Sequence, residues 1–139
     1  MQLSDDLKAF IDKPNFASLA SLTGQGAPHA IVIWIGREGD RLLFATGSRS
    51  AKCKNTKHDP RVSISIADMV NPYETAHLRG RVVEWRADTD FLGMDKISHK
   101  YIGKPFPYRD NPEERVVLVV EVDKADYKTL PFEHTPPRS

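Results

Sequence analysis

Ala30-Ile31-Val32-Ile33-Trp34-Ile35 is apolar at every position, and this run decides the fold class. A strand with one wet face alternates apolar and polar residues, so an unbroken run calls for cover on both faces. In a chain of 139 residues, about one average domain, the two covers are expected to be a barrel interior and a subunit interface. Upstream, Phe16 to Leu22 alternates as a strand and Thr23-Gly24-Gln25-Gly26 reads as a turn. Downstream, Gly36 to Asp40 reads as a turn back into Arg41-Leu42-Leu43-Phe44-Ala45-Thr46.

Three more strands are expected. Arg61 to Ala67 puts Val62, Ile64 and Ile66 on one face. Thr75 to Trp85 is long, and Val116 to Val122 closes the set. Helices are few and short. Ser4 caps a first helix with Asp5 and Asp6 in its first turn; Leu7, Phe10 and Ile11 recur at helical spacing, and Pro14 stops it. Residues 49 to 58 read as a second helix, ended by Asp59-Pro60, and the polar stretch from Asp88 to Ile102 as a third. Pro105, Pro107 and Pro112 make 103 to 114 a loop. Residues 128 to 139 form a proline-rich tail whose last residues are expected to be mobile. Six or so strands joined mostly by tight turns predict a mainly β fold, an antiparallel barrel rather than a βαβ fold. There is no internal repeat and no domain boundary, so 1–139 is read as one domain.

Composition narrows the function classes. Hydrophobic residues make up 40%, lean for a globular domain, which favours burial completed by a partner subunit. Twenty basic against nineteen acidic residues leave a net charge of +1, no signature of nucleic-acid or anionic-membrane binding. Cys53 is the single cysteine, so neither an intramolecular disulfide nor a cysteine-based zinc site can form. It reads as a small buried helix residue. The acidic N-terminus does not look like a secretory signal, and no apolar run approaches the roughly 20 residues that span a bilayer; a cytoplasmic location is expected.

The strongest chemical signal is Thr46-Gly47-Ser48-Arg49-Ser50-Ala51-Lys52. A strand ends, a glycine turns, a serine caps, and a helix opens with basic residues. Free backbone N–H groups and the helix dipole favour an anion there. Arg49 and Lys52, three apart, are expected on one helix face, both within reach of one phosphate. Cations at a helix N-terminus oppose the dipole by a few tenths of a kcal/mol unless an anion sits between them. The cluster Arg49, Lys52, Lys54, Lys57 and Arg61 raises nucleic acid as a rival, but no helix-turn-helix, zinc or stacking pattern accompanies it. The five histidines fall at no metal-ligand spacing, and nothing resembles a nucleophile elbow or a Cys–His pair. His77, Arg79 and Arg81 share a strand face, best read as cross-strand pairing. Trp34 and Tyr73 are candidates to stack on a planar ligand. An anion site beside an apolar groove, without acid–base machinery, suits a reaction whose hard step belongs to a cofactor.

Several pieces, in order along nearly the whole chain, carry a resemblance: Leu3-Ser4-Asp5-Asp6, Asn15 to Ala20, Gly26-Ala27-Pro28-His29, Ser50-Ala51-Lys52, Asp59 to Ser63, Asn71-Pro72-Tyr73 and Leu78 to Val82. The chain resembles the pyridoxamine phosphate oxidase-like family, in particular its branch of small proteins using the deazaflavin coenzyme F420. The resemblance implies an FMN-binding-like split β-barrel and a two-fold homodimer with cofactor sites at the interface. It also implies hydride transfer between F420 and a small conjugated organic substrate. It further implies that His29, Ala30, Ile31, Val32 and Ile33 lie against the ring system. Ser50, Ala51 and Lys52 would hold the phosphate, with the cofactor's acidic tail along Arg49, Asn55 one turn on and Tyr73 reaching across from the other subunit. Catalytic residues are not readable; solvent, His29 and Tyr73 are the candidate proton donors. The alternatives are an oxidoreductase of the same fold using flavin mononucleotide (FMN) and a non-catalytic flavin or tetrapyrrole carrier.

Overall fold

The computed structural model describes residues 1–110 and 113–136. Pro112 and the tail residues 137–139, expected to be loop and mobile end, lie outside the described residues. The chain runs α1 (Asp5–Asp12), β1 (Ala17–Leu22), β2 (Pro28–Ile33), β3 (Gly36–Glu38), β4 (Arg41–Gly47), α2 (Ala51–His58), β5 (Arg61–Ala67), β6 (Glu74–Ala87), a 3-10 turn (Thr89–Phe91), α3 (Leu92–Ile102) and β7 (Arg115–Thr129). All strand pairs are antiparallel, in the order β2-β1-β5-β6-β7-β4-β3. This is the expected mainly β split barrel, with seven strands rather than six.

The barrel interior is apolar because each strand points alternate residues inward. Leu19, Leu42, Phe44, Ile64, Leu78, Leu118 and Val120 are fully buried there, and α1 adds Leu7, Phe10 and Ile11 to the same cluster. Burying side chains of this kind contributes about 1.5–3 kcal/mol each. The Ser4 hydroxyl caps α1 by accepting from Leu7 N. A second, smaller cluster lies outside the barrel, where α3 covers β4 and β7: Leu43, Ile97, Val117 and Val119 pack with half-buried Trp34 and Tyr101.

Three expectations need correction. The strand read at 30–35 runs instead from Pro28 to Ile33, and the face expected at a subunit interface is open within the chain. β2 ends the sheet, Ala30 is exposed, Val32 is 69% exposed, and the strand stops at Ile33. The strand that meets the two-cover rule is β7, where Val116 to Val120 are all buried, since Leu118 and Val120 face the barrel core while Val117 and Val119 lie under α3. Gly36 to Glu38 is a short strand paired with Arg41 to Leu43 rather than part of a turn. The final strand also runs beyond Val122 to Thr129, because β6 continues alongside it.

Entry into α3 is held by polar contacts. Asp90 and Phe91 both have positive φ (55° and 59°), and the Asp88 carboxylate fixes the turn by accepting from Gly93 N at 2.6 Å and Met94 N at 3.0 Å. At the other end of α3, Lys100 Nζ donates to Ile11 O at 2.6 Å and Ile35 O at 2.7 Å. Burial pushes this ammonium down from 10.5 to about 8. In the unfolded chain the amine keeps its proton to its ordinary value, so between about pH 8 and 10 the unfolded state binds more protons and stability rises with pH. Tyr127, raised to about 12 chiefly by its hydrogen bond to Glu74, works in the opposite direction only above about pH 10, where unfolded tyrosine ionises. The melting temperature of Lys100→Met is therefore expected to climb less between pH 8 and 10 than that of the parent; parallel profiles would assign the rise to other groups.

Candidate functional site

The sheet does not close. β4 pairs with β3 only over Arg41–Leu43, so from Phe44 to Gly47 its second edge meets no strand, and β2 pairs with β1 alone. β2 continues through Trp34-Ile35 into β3, so β2 and the far half of β4 stand on either side of one opening. A cavity of about 290 Å³ lies there, with Val32, Ile33 and Trp34 on one side, Ala45 on the other, and Ile97 and Phe106 behind. Its walls are almost wholly apolar. Trp34 is fixed by stacking on Tyr101 (centroids 5.1 Å apart, planes at 4°) and by an edge contact with Phe106. The Tyr101 hydroxyl accepts from Ile35 N at 3.1 Å, which ties α3 to the strand end.

β4 leads out of this opening into α2. Ser50 is the cap, its hydroxyl accepting from Cys53 N at 3.2 Å; Cys53 is fully buried, as expected. Arg49 precedes the cap and is exposed, so it does not share a helix face with Lys52, contrary to the expectation. It presents its backbone N–H instead, which donates to Glu113 Oε2 at 3.1 Å. Lys52 is half-buried, and burial together with the nearby Arg115 cation lowers its pKa while Glu113 opposes the shift. Arg115 opens β7 opposite Gly47; its Nε is buried with no hydrogen-bond partner, and its guanidinium lies 5.7 Å from the Phe91 ring and 5.9 Å from that of Phe106. The helix start thus carries a serine cap, the half-buried Lys52 and a carboxylate on the backbone N–H that precedes the cap.

The predicted residues fall into two linked groups and one outlier. Asn55 Nδ2 donates to Ser21 Oγ at 3.2 Å, and Ser21 pairs with His29, so α2 abuts the start of β2. His29, Ile31 and Ile33 are half-buried on the side of β2 that faces the core, whereas Ala30 and Val32 point outward. His29 Nδ1 is buried and unpaired. Asn55 therefore reaches β1 beside the start of β2, and Val32 and Ile33 line the apolar cavity towards the other end of β2. Tyr73 stands apart within the chain. It precedes β6 at the sheet end where Thr75 pairs with Ala67, and it packs edge-on against Phe132 and His134 of the tail.

Sequence reasoning missed Arg115, Glu113, Tyr101 and Phe106. The helical spacing of Met94, Ile97 and Tyr101 marks an apolar face that a polar reading of the stretch overlooks; nothing local marks Arg115, which arrives by strand pairing. The basic strand face is pairing, as expected: Ser63 Oγ meets His77 Nε2 at 3.0 Å, and Arg81 forms an ion pair with Asp123 on β7. A larger cavity, about 600 Å³, lies between α3 and β3; most of its charged side chains are committed, to the Arg37–Asp12 and Arg86–Glu38 pairs, to the Asp88 cap and, for Lys100, to two backbone carbonyls. Among the described residues no group of three or more His, Cys, Asp or Glu is placed to hold a metal ion, and no helix is long and apolar enough to cross a membrane.

A split antiparallel barrel, open between β2 and β4 and with a capped, lysine-bearing helix start after β4, defines the class of fold. Residues 3–129 match the family model described as pyridoxamine 5′-phosphate oxidase, and the chain belongs to that family. Among solved structures it is similar to one described as an F420 reductase, with 25% identity, 89% of this chain and 98% of the other covered, and a TM-score of 0.80. Two others share the fold. The conserved hypothetical protein Rv2991 from Mycobacterium tuberculosis has 19% identity, coverage of 97% and 93%, and a TM-score of 0.73. General Stress Protein 26 from Bacillus anthracis has 15% identity, coverage of 94% and 100%, and a TM-score of 0.67. No curated protein matches.

Proposed function

We propose that this protein is an F420-dependent oxidoreductase that transfers hydride between the deazaflavin and a small conjugated organic molecule. The observation that carries this reading is that β4, whose Ala45 lines the apolar cavity, leads directly to the capped helix start at Ser50 and Lys52, while the Arg115 guanidinium lies 5.9 Å from the Phe106 ring of the same cavity. An elongated ligand with a planar end and a phosphate is the shape that both ends match, and similarity to an F420 reductase supports the deazaflavin. The half-buried Lys52 and the Arg115 guanidinium, whose Nε has no hydrogen-bond partner, support an anion seat beside the helix start.

When bound, a reduced deazaflavin supplies the hydride; the chain's own residues supply position. Lys52, Arg115 and the free N–H groups of Ala51 and Lys52 hold the phosphate. His29, Ile31 and Ile33 offer one wall and the Trp34–Tyr101–Phe106 stack another, which keeps water from the reacting face. The uncovered Ala30 and Val32 and the free edge of β2 support a two-fold homodimer in which a second copy, with its Asn71-Pro72-Tyr73 loop, completes the groove.

Titrating the cofactor-free protein with F420 and, separately, with FMN, followed by cofactor fluorescence, tests the reading. Micromolar or tighter binding of F420 with weak binding of FMN is expected. The reverse preference would make it a flavin enzyme, and binding of neither would overturn the oxidoreductase assignment.

A further inference from the structure

The geometry points to a second ligand site, in the cavity of about 600 Å³ beside α3, that takes a small apolar carboxylate. The volume falls within the roughly 300–1,000 Å³ of small-molecule sites. This cavity is distinct from the opening between β2 and β4. α3 lines it with Leu92, Lys96 and Lys100 and lines the opening with Met94, and Ile97 touches both. The floor is apolar. Leu43, Ile97 and Val117 belong to the buried cluster under α3, and Leu92, which also lines the cavity, is 72% exposed.

Two lysines supply the charge. Lys96 and Lys100 both line the cavity; four residues apart, they are neighbours on one helix face, where like charges repel. Each carboxylate that lines the cavity is already engaged. Asp12 takes two N–H groups of Arg37, Glu38 takes two of Arg86, and Asp88 takes Gly93 N and Met94 N. Asp12 attracts the Lys100 ammonium only at longer range, where Arg37 opposes it, and Glu38 feels Lys96 in the same way.

Lys100 decides the chemistry. An ammonium has three N–H donors, and two of these go to Ile11 O at 2.6 Å and Ile35 O at 2.7 Å. Those acceptors are neutral, as is the Tyr101 ring whose centroid lies 5.0 Å away. The half-buried charge therefore has no counter-ion in contact, and one donor is left over. A carboxylate in the cavity supplies both needs: one oxygen for Lys100, the other for Lys96. It would also relieve the cost of burial that depresses the Lys100 ammonium. The apolar floor then takes the body of the molecule.

Octanoate is the probe, and octanamide, the same chain without the charge, is its control. Both are titrated calorimetrically into the parent, Lys96→Gln and Lys100→Gln at about pH 7, where both ammoniums are charged. The parent is expected to bind one octanoate per chain, about tenfold or more tighter than octanamide. Lys96→Gln, at an exposed position, should weaken octanoate about two- to fivefold. Lys100→Gln should weaken it about tenfold or more, and octanamide should be unmoved in both. Should Lys100→Gln fail to fold, Lys96→Gln alone decides. Octanoate left unbound, bound no better than octanamide, or bound equally well by either folded variant would overturn the site. No cofactor enters these titrations, so that failure would leave the proposed function standing.

Discussion

Lys52→Ala is expected to weaken binding of the cofactor by about 1.5–3 kcal/mol, the range of a hydrogen bond to a charged group, or about 10- to 150-fold in Kd. The ammonium stands at the start of α2, half-buried and depressed by burial and by Arg115. Such a group is held at some cost while no anion faces it, because two cations crowd one place. Its removal should therefore leave the melting temperature unchanged or slightly raised while affinity falls. That combination separates a binding role from a structural one, since a structural lysine would lower both. Arg49→Ala should do far less: its side chain is exposed and precedes the helix, and the group it offers the seat is a backbone N–H that alanine retains. An unchanged Kd in Lys52→Ala would remove Lys52 from the site.

Gly80→Ala should destabilise the fold by about 3 kcal/mol or more, at the top of the range for overpacking a rigid interior. Gly80 lies at the register shift between β6 and β7, where Arg79 pairs with Lys124 and Gly80 with Val122, so that Asp123 is left over as the extra residue. A side-chain carbon there would sit 2.1 Å from the Glu121 carbonyl oxygen and 3.0 Å from its carbon. Both are backbone atoms in the middle of the sheet, and neither can swing aside as a side chain can. The bulge bends the longest strand pair of the barrel, so relief would have to come from repacking the core on either side. Gly24→Ala is the control, since nothing lies within 4 Å of the added carbon, and it should be close to neutral. Urea midpoints of the two variants check the pair; a loss below about 1 kcal/mol in Gly80→Ala would mean that β7 shifts without cost at the bulge.

Much of this was legible because it is local. Ser4 and Ser50 cap helices by accepting from a backbone N–H three residues on; the Ser4 cap could be named from the residues alone, whereas the second helix, read from residue 49, starts at Ala51 with Ser50 as its cap. Period-two alternation placed Val62, Ile64 and Ile66 inward. The helix start after β4 was legible for the same reason: a glycine, a serine and a lysine in close succession mark it whatever surrounds it.

Properties that depend on which strands become neighbours were not legible. The apolar run at 30–35 and the run at 116–120 look alike along the chain, yet one ends the sheet with Val32 exposed and the other lies in its middle beneath α3. Hydropathy records that a strand is fit to be covered; strand order decides whether the chain itself covers it. Arg115 and Glu113 reach the α2 start because β7 pairs with β4 at Gly47, more than sixty residues away in sequence, and no local pattern encodes that meeting. The sequence by itself thus determined the first helix cap, the inward faces and the presence of a lysine-bearing helix start after β4, all set by contacts within a few residues. Tertiary structure alone decided the opening between β2 and β4, the second cation and the acid at the α2 start, because each is a contact between segments that only the closure of the sheet brings together.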